Sequence, residues 1–114
     1  MAFKVNTKQL KRVDLVEVSG RVDSSTAPQF EAAVQKIIDD GRYRLVVDLS
    51  GTEYMSSAAF RVLISALKQV KKGTRRGNVH LAGVSPKLVE VFKLGGFDEL
   101  FKFYDKQVDA VGSF

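Results

Sequence analysis

With 114 residues and no cysteine, the chain has room for one domain and cannot form disulfides, thiolate metal sites or a thiolate nucleophile. Hydrophobic residues make up 45% and charged residues 27%, an ordinary globular balance, and no apolar run approaches the roughly 20 residues of a membrane span. The formal net charge of +5 predicts a basic surface; a nucleic-acid groove would need those cations clustered with aromatics, which the chain order does not offer, so no direct nucleic-acid partner is expected.

A chain of this length buries roughly 65% of its unfolded surface, enough for a hydrophobic core. Phe3, Val5 and Thr7 alternate with polar residues as in an edge strand. A polar turn through Lys11-Arg12 leads to a second strand from Val13 to Ser19. Thr26-Ala27-Pro28-Gln29 predicts a helix start, with capping-box spacing between Thr26 and Gln29 and a proline tolerated in the first turn. Phe30, Ala33, Val34, Ile37 and Ile38 form the buried stripe of that helix, and Gly41 ends it.

Residues 44 to 49, RLVVDL, predict a strand covered on both faces, with Ser50-Gly51-Thr52 as a loop. Apolar residues then recur at Ala59, Val62, Leu63, Ala66, Leu67 and Val70, one face of a helix near 57 to 72. After Gly77-Asn78 come a strand, Val79 to Ala82, and a helix opening at Ser85-Pro86, with Leu88, Val89, Val91 and Phe92 inside and Gly95-Gly96 at its end. Leu100 to Tyr104 reads as a last strand and Asp105 to Val111 as a short closing helix. The alternation predicts an α/β fold over residues 1–114, a mostly parallel sheet of about five strands with crossover helices in the order β-β-α-β-α-β-α-β-α.

The chemistry-bearing residues are few. His80 is the only histidine and sits mid-strand, where a packed or partly exposed structural role outweighs a Ser-His-Asp arrangement. No ligand set for a metal and no convincing phosphate loop is present; Lys72-Gly73-Thr74 follows a helix, not a strand, and Gly95-Gly96 is a helix stop. Asp23 and Asp48 are placed at strand ends on one sheet edge, with Asp48 binding loop N–H groups. Lys68, Lys71, Lys72, Arg75 and Arg76 complement the negative end of a helix dipole, and an acidic partner surface also fits them. Ser56 and Ser57 fall at a helix start, where a hydroxyl caps orphan N–H groups and where phosphate is also tolerated. Phe60 and Ile64, four apart and offset from the main stripe, read either as a widened buried face or as an exposed docking surface. The start, Met1 to Asn6, has no apolar signal-peptide stretch, which with the absent cysteines predicts a cytoplasmic protein.

The segment Asp48-Leu49-Ser50 through Tyr54-Met55-Ser56-Ser57-Ala58-Ala59-Phe60-Arg61-Val62-Leu63 resembles the signature of the STAS family, typified by the bacterial anti-sigma-factor antagonists. Val18-Ser19-Gly20-Arg21-Val22-Asp23 resembles the family's early strand, and Ala82 to Phe97 its late strand–helix–turn. The three matches stand in the family's order and cover most of the chain. Ser57 falls on the phosphoacceptor position; Ala59 stands where the family usually has Gly, and Phe60 where it usually has Leu. The resemblance implies a binding protein rather than an enzyme, with no cofactor. It implies that the protein binds an anti-sigma factor/serine kinase, releases a sigma factor, and is switched off by phosphorylation of Ser57 and restored by a serine phosphatase. It places the partner surface on Asp23, Ser24, Ser56, Ser57, Ala58, Phe60, Arg61 and Ile64. A second reading is a STAS accessory module of a transporter or sensory assembly, without a phosphorylation cycle.

Overall fold

The computed structural model describes residues 2–114; Met1, included in the expected domain, lies outside the described residues. The strands are β1 (Lys4–Gln9), β2 (Asp14–Val22), β3 (Arg44–Met55), β4 (Asn78–Ala82) and β5 (Lys102–Tyr104), and the helices are α1 (Ala27–Asp39), α2 (Ser57–Val70), α3 (Pro86–Leu94) and α4 (Gln107–Gly112). The sheet order is β1-β2-β3-β4-β5. β1 is antiparallel to β2, and every other pair is parallel. This is the α/β architecture and element order that the alternation predicts.

Strand order equal to chain order has a consequence. Each crossover steps one strand in the same direction, and right-handed crossovers then put α1, α2 and α3 on one face. The packing agrees. Val16, Val18, Leu45, Val47, Val79 and Leu81 join the main core with Phe30, Leu63 and Phe92. Leu15, Val46 and Ala82, one residue out of phase, turn to the other face and meet Ala110 of α4. Among the described residues, the six-residue helix α4 and the Phe114 ring that follows it cover that second face. There Glu17 and Asp48 lie side by side in register, and the Gln107 amide donates to both, at 3.0 and 2.7 Å. The Gln107 bond, then the Asn6 bond, hold the Glu17 carboxyl below its usual pKa.

His80 lies on this same covered face, 3% exposed, stacked at 3.9 Å on the ring of Phe114. Its Nδ1 shares a hydrogen bond of 2.6 Å with Ser113 Oγ, which also bonds the Ala110 carbonyl. Burial, then Lys102 and Lys71, push the imidazole pKa down to about 4. His80 is the packed structural histidine that its mid-strand position predicts.

Several local expectations change. β3 does not end at Leu49: it runs through Ser50-Gly51-Thr52 to Met55, still paired with β2. Asp48 is therefore inside a strand rather than at its end, although its Oδ1 does accept the Ser50 N–H at 2.8 Å. Thr26 forms no capping box. Its hydroxyl donates to the Arg21 carbonyl at 2.9 Å, and the Asp23 carboxylate takes the Thr26 N–H instead. β5 begins at Lys102, because Leu100 is exposed and Phe101 turns into the core. Val91, placed inside α3 by its spacing, is 38% exposed.

Candidate functional site

β3 delivers Met55 to the core, and the chain turns into α2 at the next residue. Ser56 occupies the N-cap with an extended backbone, φ −84° and ψ 174°. Its N–H donates to the Val22 carbonyl at 2.8 Å, which ties the α2 start to the end of β2. Its carbonyl takes the N–H groups of Ala59 and Phe60. Its hydroxyl caps nothing: Oγ is buried and without a hydrogen-bond partner among the described residues. The cap role expected of this serine is absent.

Ser57 is the first helical residue and is exposed. Its hydroxyl stands where the helix presents N–H groups with no preceding helical carbonyl, and the first turn of α2 holds no acidic residue to complement them. The two adjacent serines therefore differ sharply: one is walled in, the other faces solvent at a positive helix end.

Asp23 follows β2 and so lies beside this junction. Its Oδ1 accepts from the Ser25 hydroxyl at 2.7 Å, the Ser25 N–H at 3.0 Å and the Thr26 N–H at 3.2 Å. The Ser25 hydroxyl, then the Ser25 N–H, hold this carboxyl below its ordinary pKa. Asp23 is thus an ionised, fixed group, and Ser24 is exposed on the same turn.

On the other side of Ser57 a groove opens between α2 and α3, with a volume of about 740 Å³. Tyr54, Met55, Phe60, Ile64, Leu88, Val91, Leu94 and Phe97 line it, with Arg61, Lys87 and Glu53 among its polar residues. Leu94 is 86% exposed on the edge of this groove. Phe60 is not an exposed docking residue. It is 6% exposed, edge-on to Phe92 at 4.8 Å and stacked on Phe97 at 5.7 Å, so it forms part of the floor of the groove. Ile64 is half-buried, Ala58 is half-buried and Arg61 is exposed. The fold thus gathers Asp23, Ser24, Ser56, Ser57, Ala58, Arg61 and Ile64 around the start of α2.

Sequence reasoning missed the α3 bank. Val91 and Leu94 are apolar but lie off the Leu88–Phe92 stripe, and that offset was the available signal. It also missed Arg21, whose guanidinium lies over the Tyr54 ring at 4.4 Å on the rim of the site. Among the described residues no group of three His, Asp or Glu side chains is placed to hold a metal ion. No helix is long and apolar enough to cross a membrane.

The sequence pattern described as "STAS domain" matches residues 4–110. The chain belongs to the STAS family. A protein of Bordetella bronchiseptica named as a candidate anti-sigma factor antagonist, BtrV, is 33% identical over 97 residues, covering 85% of this chain and 82% of that protein. The anti-sigma-F factor antagonist RsfB of Mycobacterium tuberculosis is 24% identical over 99 residues, covering 87% of this chain and 79% of that one. Among solved structures, an anti-sigma factor antagonist from Mycobacterium paratuberculosis superposes with a TM-score of 0.85 at 28% identity, over 98% of this chain and 93% of that chain. These three relatives are named as anti-sigma factor antagonists, a regulatory role.

Proposed function

We propose that this STAS protein is an anti-sigma-factor antagonist that docks the face around Ser57 onto an anti-sigma factor/serine kinase, so releasing a sigma factor, and that phosphorylation of Ser57 turns the contact off. The carrying observation is the exposed Ser57 hydroxyl at the α2 N-terminus, beside an open apolar groove between α2 and α3. Phosphate adds about −1.5 to −2 charges. The positive helix end offsets that charge, so the fold tolerates it. At the centre of a docked interface the same charge must be desolvated, so the contact fails. Asp23, held ionised, supplies a negative contact for a basic partner residue. The buried Ser56 hydroxyl is out of a kinase's reach, which supports Ser57 as the acceptor. A serine phosphatase restores the binding form, and the cycle runs in the cytoplasm.

The test is to incubate the protein with its cognate kinase and ATP, map the product, and titrate the partner against wild type, S57A and the phosphoprotein by calorimetry. Label on Ser57, abolished in S57A, with binding retained by S57A and lost by the phosphoprotein, is the expected result. Label on Ser56 alone, or tight binding by the phosphoprotein, would sink the switch and favour an accessory module without a phosphorylation cycle.

A further inference from the structure

At the opposite end of the sheet from Ser57 lies a second concavity. β3 begins at Arg44 at this end and delivers Met55 to the Ser57 end. The cleft, of about 300 Å³, is closed by the β1–β2 turn, the α1–β3 connection and the loop after α2. It gathers Lys11, Arg12, Arg42, Arg44 and Arg75, which include four of the chain's seven arginines, against one lining carboxylate, Asp14.

Two of these arginines are fixed in place. Arg42 bonds both Asp14 oxygens through Nε, at 3.1 and 2.9 Å, and reaches Asp40 at 3.4 Å through Nη1. Arg75 donates to the Gln69 carbonyl at 2.9 Å and lies over the Tyr43 ring at 4.7 Å. Lys11, Arg12 and Arg44 form no ion pair among the described residues. Cations gathered on one surface raise the local positive potential, which attracts an anion. The guanidinium fork binds carboxylate or phosphate oxygens bidentately, and several cations around one cleft favour a multiply charged anion such as adjacent phosphates over a single carboxylate. The aromatic ring of Tyr43 stiffens the wall.

We propose that this cleft binds a ligand carrying adjacent phosphates, either a soluble polyphosphate ester or the clustered headgroups of an anionic lipid surface. The site is independent of the Ser57 face: a ligand here leaves the α2–α3 groove free, so one molecule can hold both at once.

The experiment uses the whole protein, isotope-labelled for amide NMR, with inorganic tripolyphosphate as one probe and phosphatidylglycerol vesicles as the other. Saturable shifts confined to residues 9–14, 41–45 and 73–77 are expected from at least one probe, fading as salt is raised. The doubly substituted Arg12→Gln/Arg44→Gln protein removes two exposed, unpaired charges and should keep the wild-type melting temperature. It should bind the active probe at least roughly tenfold more weakly. Response to tripolyphosphate assigns a soluble ligand, and response to vesicles alone assigns a lipid surface. No response to either probe, or an undiminished response in the double variant, overturns the proposal. Neither result bears on labelling at Ser57, so the two readings fail separately.

Discussion

Replacing Ser57 by aspartate should stabilise the protein while disabling it. Ser57 is the first residue of a 14-residue helix whose first turn contains no acidic side chain, and whose last turn already carries Lys68. Its hydroxyl forms no capping bond, so S57A should stay within about 0.5 kcal/mol of wild type. An exposed carboxylate at this position gains about 0.3–1 kcal/mol from the helix dipole. In a domain near this size that is a rise of about 1–5 °C in melting temperature. Differential scanning calorimetry at low and high ionic strength reads it directly, and the gain should shrink as salt screens the charge. A fall in melting temperature in S57D, or a gain that salt does not touch, would refute the claim that this position sits in the field of an unsatisfied helix end. With the gain established, any loss of partner binding by S57D is a property of the interface and not of the fold.

Three more perturbations probe the scaffold. His80 has a folded pKa of about 4 against 6.5 unfolded, so the unfolded chain binds the extra proton; stability should fall as pH drops from about 6.5 toward 4, by up to about 3 kcal/mol, and urea melts across that window should flatten in His80→Phe. Phe60→Glu should lose several kcal/mol and the cooperative melt, because the carboxylate has no partner within the Phe92–Phe97 cluster, whereas Phe60→Leu should cost about 1–2 kcal/mol; equal melting temperatures for the two would contradict the burial of this ring. A Cβ at Gly51 would lie 2.8 Å from Ser19 Cβ, so Gly51→Ala should cost about 1–3 kcal/mol in denaturant titration, and adding Ser19→Gly should recover part of it.

Much of the fold was legible because the helices carry clean stripes and strand and helix alternate, which points to a mostly parallel sheet with crossover helices; the strand order was not. What was not legible lay in contacts that the spacing along a single element does not reveal. Thr26 and Gln29 have capping-box spacing, yet Asp23 reaches the Thr26 N–H first and the threonine hydroxyl turns to Arg21. Phe60 has the position of a surface residue on α2, and only the arrival of α3, with Phe92 and Phe97, buries it. The basic cleft draws on segments more than sixty residues apart, so its cations look scattered along the chain. Of the Ser57 site, the start of α2 was readable from the strand-to-helix change in periodicity, and the α3 bank was not, because nothing in the sequence says which helices become neighbours.

The misplaced end of β3 explains why Ser57 and not Ser56 is presented. Leaving aside Val46, which is buried against the other face, the buried positions along β3 run Leu45, Val47, Leu49 and then Thr52 and Met55, so the spacing changes from two to three. A period-two pattern breaks there, and Ser-Gly-Thr reads as a loop. The register shows the cause. From Glu17 to Val22 β2 advances five residues, while its partners on β3, Asp48 to Met55, advance seven. Two extra residues are taken up in two bulges, each of which would by itself turn the following side chains to the wrong face. Gly51, with no Cβ to strike Ser19, allows the first, and Thr52, whose hydroxyl donates to the Val18 carbonyl at 3.0 Å, fastens the strand between them. Met55 then returns to the core, Ser56 Oγ is walled in, and Ser57 emerges as the first residue of α2. A strand without the two bulges would bring a different residue to this junction, so the phosphoacceptor reading rests as much on Gly51 and Thr52 as on the serine itself.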